Sequence, residues 1–293
     1  MINDSVSVVI PSYHRSINTL SRAVESVRRQ EYPIFEIIVV DDNKDDLALS
    51  NAIKAFCCNH QLKYIPSGGI GGAGARNCGI SAASGKYIAF LDDDDEWLPE
   101  KLKVQIALFT SPTIGLVYSR GYTVTLKTDG TVSQKCYATD RYYKTKVSYR
   151  DLLIRNYIGT TTQIVVRRDI LQKLGGFDES LPSRQDYDLC LRVAKEYCCI
   201  GADQYLFIHY LHNDGQITAD PHRNMVGYQM ILNKYRNDIS RVKDAYRGFC
   251  YRIARCARAD RSYAVFIRYL LLALFDSPLS ARETIKRCFR TGY

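Results

Sequence analysis

Short β-branched runs alternate with amphipathic segments over the first 110 residues, and no other feature limits the fold of this 293-residue chain as strongly. Residues 6–10 are apolar and stop at Pro11, residues 35–40 stop at Asp41-Asp42, residues 62–65 stop at Pro66, and residues 87–91 stop at a run of acids. Unbroken apolar runs of this length read as strands buried on both faces. Between them, Leu20, Val24 and Val27 recur at helical spacing within residues 16–29, with Ser16 or Asn18 as the cap. A second helix is predicted over 45–58. Strands alternating with helices in this way make a parallel sheet whose ligands bind at the carboxyl ends of the strands.

The fourth run leads into Asp92-Asp93-Asp94-Asp95-Glu96-Trp97-Leu98-Pro99, where Pro99 can open the next helix. Four adjacent carboxylates repel one another. Their natural partner is a hard divalent cation, Mg²⁺ or Mn²⁺, that itself holds a phosphate-bearing substrate; the plainer alternative is a solvated acidic loop. Upstream, residues 67–77 join a strand to a helix and contain G-x-G-x-x-G at Gly69, Gly71 and Gly74. This spacing admits an NAD- or FAD-binding oxidoreductase. Against that reading, the fingerprint belongs to the first strand of its fold, and here a complete strand–helix–strand–helix precedes it.

Downstream, the pattern predicts a helix over 100–109, a strand over 114–119, a hairpin over 122–137 turning at Thr128-Asp129-Gly130, and a short helix near Arg155. A strand over 160–167 and a helix over 168–174 closed by Gly175-Gly176 follow. A helix beginning near Gln185 places Asp186 in its first turn, where the helix dipole favours the ionised form. Asp188 is a competing carboxylate, on a different face of the same helix. Residues 205–210 read as a last strand, and helices run from about Arg223.

Composition narrows the class. Hydrophobic content of 46% and charged content of 24% describe a globular chain. Ten cysteines, with adjacent pairs at Cys57-Cys58 and Cys198-Cys199 and no C-x-x-C, suit neither a zinc ribbon nor a stapled scaffold, so reduced thiols in the cytoplasm are expected. No signal peptide is recognised at the N-terminus. The net charge of +9 is uneven: residues 1–220 carry 25 basic and 26 acidic side chains, whereas residues 221–293 carry 15 and 5. A basic helical tail of this kind can meet an anionic membrane surface, nucleic acid or simply solvent. Its most apolar stretch, residues 263–275, includes Arg268 and is too short to span a bilayer.

Five motifs in order, Val8-Val9-Ile10-Pro11-Ser12-Tyr13, Val39-Val40-Asp41-Asp42, Gly72-Ala73-Gly74-Ala75-Arg76-Asn77, Leu91-Asp92-Asp93-Asp94-Asp95 and Gln185-Asp186-Tyr187-Asp188, resemble those of inverting family 2 glycosyltransferases with the GT-A fold. The resemblance covers about residues 6–218. It implies an α/β, Rossmann-like, mainly parallel sheet flanked by helices, with a catalytic domain over 1–220 (nucleotide-sugar half 1–110, acceptor half 111–220) and a helical segment over 221–293. It further implies transfer of a hexose from a nucleotide sugar, most simply a UDP-sugar, to a saccharide or lipid-linked saccharide acceptor in surface polysaccharide synthesis. A non-catalytic nucleotide-sugar binding protein is the alternative from another class. Residue by residue, the resemblance gives Pro11, Tyr13, Asp41, Asp42, Arg76, Asn77, Asp92 and Asp93 to the donor. Asp94 and His212 go to Mn²⁺ or Mg²⁺, and Asp186 is the base. Gln185 departs from the family's usual Glu. Asp95 is left to the sugar or to a helix cap. A cytoplasmic protein, touching the inner face of the membrane through its basic helices and binding no nucleic acid, completes the expectation.

Overall fold

The computed structural model describes residues 4–126, 132–137, 140–211 and 220–275. The predicted alternation forms β1 (Val6–Ser12), α1 (Ile17–Arg28), β2 (Glu36–Asp41), α2 (Leu47–Asn59), β3 (Lys63–Pro66), α3 (Gly71–Ala82) and β4 (Tyr87–Phe90). Ser16 caps α1 by accepting from the Thr19 amide, and Asp46 caps α2 by accepting from Leu49. The strands lie in the order β3-β2-β1-β4, with β1 parallel to both β2 and β4. Chain direction across the sheet therefore reverses between β1 and β4, and the loops that leave these two strands part to form a crevice.

The sheet continues through β5 (Glu96–Trp97), β6 (Ile114–Leu126), β7 (Val132–Cys136), β8 (Lys146–Val147), β9 (Val165–Arg167) and β10 (Cys198–Leu211) in the spatial order β4-β9-β6-β10-β5. β7 and β8 pair at the side with β6 and β10. β6 and β10 are parallel, while β9 runs antiparallel to both β4 and β6. The sheet is thus parallel in its first half and mixed in its second. Helices α4 (Lys101–Ala107), α5 (Tyr149–Ile154), α6 (Arg168–Leu174) and α7 (Gln185–Glu196) fill the connections.

Three local expectations change. Residues 160–167 are not one strand: Thr161–Gln163 forms a 3-10 turn, and β9 begins after it. The acidic run does not pass directly into a helix at Pro99, because Glu96–Trp97 first pairs antiparallel with β10. The strand at 114–119 and the first arm of the hairpin are a single strand, β6, whose partner β7 returns antiparallel. The turn Thr128-Asp129-Gly130 lies outside the described residues.

Period-two alternation sorts the strands into two cores. Val6, Val8 and Ile10 pack with Leu20, Val24 and Val27 of α1 and with Ile53 and Phe56 of α2. Val9 faces the opposite core, which includes Ile80 of α3, Phe90, and Leu189 and Val193 of α7. Gly79 allows α3 to lie close on β1: a β-carbon there would meet Val9 Cγ1 at 2.3 Å.

The basic segment folds onto this second core. Helices α8 (Pro221–Lys234), α9 (Arg236–Ser240), α10 (Ala245–Ala259) and α11 (Tyr263–Phe275) follow in order. Met225, Ile231, Ile239, Phe249 and Ile253 join the cluster that contains Leu152 of α5 and Leu189 of α7. Among the described residues no helix is long and apolar enough to cross a membrane, and the nine described cysteines are free.

Asp188 fastens α7 to α8. It is fully buried and accepts from Arg192 Nε at 2.7 Å, Lys234 Nζ at 2.8 Å and Tyr235 Oη at 2.8 Å. Those bonds leave it no role as a base, and Arg192 is its ion-pair partner on the same helix. Removing one member of a buried ionic cluster strands the others, so Asp188→Ala is expected to cost about 3–5 kcal/mol. Urea unfolding checks this; a loss under about 1 kcal/mol would show that the cluster does not hold α8 in place.

Candidate active site

The acid run is a turn that distributes its carboxylates. Leu91 N–H still donates to Val9 O, extending the register of β4, and Asp95 N–H then donates back to Asp92 O at 3.0 Å. Asp92 accepts from Arg76 Nη2 at 2.5 Å, Thr161 Oγ1 at 3.0 Å and Thr160 Oγ1 at 3.2 Å. Asp93 accepts from the Tyr13 amide at 3.1 Å and lies 3.7 Å from Arg15 Nε. Asp94 pairs with Arg15 Nη2 at 2.7 Å, and its carbonyl accepts from Arg22 Nη2. Asp95 accepts from Thr162 Oγ1 at 2.6 Å and the Tyr210 amide at 3.2 Å, with His209 Nδ1 at 3.0 Å.

Asp95 is sealed, at 0% exposure. Its oxygens are bound by Thr162, the Tyr210 amide and His209, and it does not cap α4. His209 is half-buried and bound to Asp95. His212 lies outside the described residues.

Crowding separates the four groups electrostatically. Burial opposes ionisation of Asp92, yet the Arg76 guanidinium and the Thr161 hydroxyl outweigh it and hold its carboxyl below the usual range. Burial and then the charge of Asp94 push Asp93 up to about 8. Burial, followed by Asp95 and Asp92, pushes Asp94 up to about 6. His209 is raised, because the charge of Asp95 and the bond to it overcome the opposing effect of burial.

This donor set fits a divalent ion. Among the described residues no three His, Cys, Asp or Glu side chains converge into a closed protein cage. An Mg²⁺-like ion is commonly held by one or two carboxylates plus substrate phosphates and needs no such cage. Burial and the neighbouring carboxylates raise Asp93 and Asp94 together, and such an ion would offset the second of these effects.

Around the crevice, the other motif residues divide. Pro11 lies half-buried within β1, which runs one residue past it to Ser12, and Tyr13 stands 58% exposed just beyond the strand. Asp41 Oδ1 accepts from Asn43, and its Oδ2 accepts from Tyr64 Oη at 2.8 Å. Asp42 is committed to the glycine loop: Oδ1 accepts from Ser67 Oγ and the Ile70 amide, and Oδ2 accepts from the Gly71 amide. Gly71, at φ +85°, gives the loop the bend that brings these amides to the carboxylate. The loop's anion is therefore a side chain of the protein, and Asp42 serves to hold the glycine loop. Asn77 turns away as well, since it donates to Phe177 O and Glu179 Oε1 and accepts from the Phe177 amide. It staples α3 to the loop ahead of α7.

Asp186 sits in the first turn of α7, as expected, but the dipole does not set its charge. Burial raises its pKa against the opposing charge of Arg184. Its carboxylate accepts from the Tyr187 amide, and among the described residues no other group hydrogen-bonds to it. Gln185 donates to Leu181 O at 2.7 Å, bracing the same loop. Tyr137 completes the pocket: burial and the charges of Asp186, Asp95 and Asp92 raise its hydroxyl. Its ring stands edge-on to His209 at 5.5 Å. Sequence reasoning missed Tyr137 and the run Thr160-Thr161-Thr162. Three consecutive hydroxyls were the available signal, misread as part of a strand.

Comparison with known proteins agrees with this geometry. The model of the family described as glycosyl transferase family 2 matches residues 7–175. A glycosyl transferase of Escherichia coli K12 provisionally assigned to colanic acid biosynthesis, WcaA, is 31% identical over 253 residues, covering 84% of this chain and 87% of that protein. The Escherichia coli glucosyltransferase WfgD is 31% identical over 197 residues, covering 65% and 70%. Among solved structures, the Pyrobaculum calidifontis mannosyltransferase PcManGT superposes with a TM-score of 0.64 at 17% identity, covering 97% of this chain and 85% of that one. TarS 1-349 from S. aureus gives 0.58 at 16%, covering 97% and 89%. These neighbours share the GT-A fold. A family match over more than half of the sequence, joined to a relative matched along most of its length, shows that the chain belongs to glycosyl transferase family 2.

Proposed function

We propose that this glycosyltransferase moves a hexose from a UDP-sugar to a saccharide carried on a lipid diphosphate, inverting the anomeric centre to a β-linkage, in surface polysaccharide synthesis. The carrying observation is that Asp186 alone among the crevice carboxylates keeps its oxygens clear of other side chains. The relatives support the substrate class. WfgD is named for transfer from UDP-Glc to α-D-GlcNAc-diphosphoundecaprenol, and AmsB of Erwinia amylovora for amylovoran biosynthesis. TarS 1-349 was solved with UDP-GlcNAc, and PcManGT with GDP-Man and Mn²⁺.

In this reading, Tyr13 and Pro11 flank the nucleoside, Asp41 accepts from the base with its remaining lone pairs, and Asp92, oriented by Arg76 and Thr161, meets the donor's ribose. Asp93 holds the Tyr13 loop. Mn²⁺ or Mg²⁺ at Asp94, with Asp92 beside it, would offset the charge that collects on the leaving diphosphate. The acceptor hydroxyl attacks the anomeric carbon from the face opposite the diphosphate. As the new C–O bond forms and the old one breaks, Asp186 takes the hydroxyl proton. A carboxylate raised toward neutrality is a stronger base than an ordinary aspartate. Asp42 and Asn77 act by holding the loops that carry Arg76 and Asp186.

Asp186→Asn is expected to slow UDP release about 10²–10⁴-fold while UDP affinity in Mn²⁺ is kept. A wild-type rate would remove Asp186 from the role of base. Metal binding must also expel the protons that crowding places on Asp93 and Asp94. Calorimetric affinity for Mn²⁺ in the presence of UDP should therefore rise with pH between about 5.5 and 8, as groups near 6 and 8 ionise. A flat profile over that range would separate these carboxylates from the metal.

The basic helices fit reversible contact with the cytoplasmic leaflet. Tyr263, Ile267 and Leu271 stand 61%, 55% and 47% exposed at four-residue intervals along α11, with Arg261 and Arg268 exposed beside them. Salt-sensitive binding to phosphatidylglycerol vesicles, lost in an Ile267→Asp, Leu271→Asp double variant, is the expected result. Absence of binding at low salt would confine these helices to packing.

A further inference from the structure

Most arginines near the crevice face an acid. Arg15 faces Asp94, Arg22 faces Glu96, Arg76 faces Asp92, and Arg192 faces Asp188. Arg184 does not. It precedes Gln185-Asp186 in the left-handed region, at φ +67°, a conformation that β-carbon sterics disfavour and that persists where the surroundings enforce it. The surroundings are visible: Arg184 Nη2 donates to Asn224 Oδ1 on α8 at 2.8 Å, and the guanidinium lies over the Tyr228 ring, 4.4 Å from its centroid. Its Nε is buried without an acceptor. Its charge acts on Asp186, yet the two form no ion pair.

A second arginine repeats the pattern. Arg252 on α10 stands 5.7 Å from the same Tyr228 ring and 4.7 Å from that of Phe249, and it donates to Ile154 O at 2.9 Å. Its Nε is likewise buried without an acceptor, and it has no carboxylate partner among the described residues. The charges of both arginines reach the Cys256 thiol. Two half-buried guanidinium groups therefore share one ring, the first of them near Asp186, and neither has an ion-paired carboxylate among the described residues. Withdrawing cations from water without an anion is unfavourable unless a ligand supplies the anion.

We infer that Arg184, backed by Arg252, binds a phosphate of the acceptor, so that the acceptor is a sugar attached directly to a diphosphate. The inference rests on the proposed transfer with Asp186 as base. The acceptor supplies this phosphate because Arg184's neighbours lie on α7, α8 and α10 and at Tyr137, and none belongs to the ends of β1, β2 and β4 where the donor is placed. Arg184 and Asp186 stand two residues apart at the start of α7, so one acceptor molecule presents its phosphate to the first and its hydroxyl to the second.

Two acceptors test this, α-GlcNAc diphosphate carrying a short alkyl chain and the uncharged alkyl α-GlcNAc glycoside, assayed with a panel of UDP-hexoses and Mn²⁺. Wild-type enzyme should prefer the diphosphate. Arg184→Gln should lose about tenfold more kcat/KM on the diphosphate than on the neutral glycoside, through KM, with the KM for donor held. Arg184→Lys should recover part of the preference, and Arg252→Gln should show a smaller loss in the same direction. Equal losses on both acceptors would make Arg184 a structural pin and overturn the inference, as would a loss confined to donor affinity. Wild-type turnover without preference for the diphosphate overturns the inference while leaving the proposed function standing. Wild-type transfer to neither acceptor removes the proposed acceptor class and this subsite together.

Discussion

Four carboxylates on one turn cannot share one environment, and the site is built around keeping them apart. Asp95 is withdrawn into the protein and bound by Thr162, His209 and the Tyr210 amide. Asp92 is held ionised by Arg76 and the threonine hydroxyls. Between them, Asp93 and Asp94 share Arg15, and repulsion and burial keep both partly protonated. The turn thus carries its negative charge in graded form. Loops from β1, β9 and β10 are needed to hold this arrangement, so the site and the sheet order depend on one another.

The parallel half was legible because its signals are local. Apolar runs, helix caps and strand-ending prolines each act within a few residues, and each predicted element there formed within a few residues of its expected bounds. The other wall was not legible, since its partners come from far along the chain. β9 is antiparallel to β4 and so starts at the edge where β4 stops. That reversal carries Thr160, Thr161 and Thr162 to Asp92 and Asp95, some 70 positions away in sequence. Nothing in the periodicity of residues 160–167 announces the direction of the strand.

Motif residues were easier to find than to assign. Asp41, Asp92, Asp94 and Asp186 all gather at the carboxyl edge of the sheet, as the motif order implies. Asp42 and Asn77 gather there too, but spend their polar atoms on backbone amides and carbonyls. A motif records that a residue type is required, and a loop that must be held still requires polar side chains as firmly as a substrate does. Asp188 is the same lesson in reverse: two residues from the base, fully enclosed, it joins the C-terminal helices to the catalytic core.

Asp42's place in the glycine loop bears on selectivity. In nucleotide-binding loops built on this spacing, open amides are the receptor for a diphosphate. Here that receptor is already taken, from within and at close quarters, by a carboxylate tethered to β2. A free phosphate ester or a dinucleotide would have to displace a covalently attached competitor to reach these amides. The loop keeps the backbone shape of an anion trap, with its Ile70 and Gly71 amides already turned to a carboxylate of the same chain.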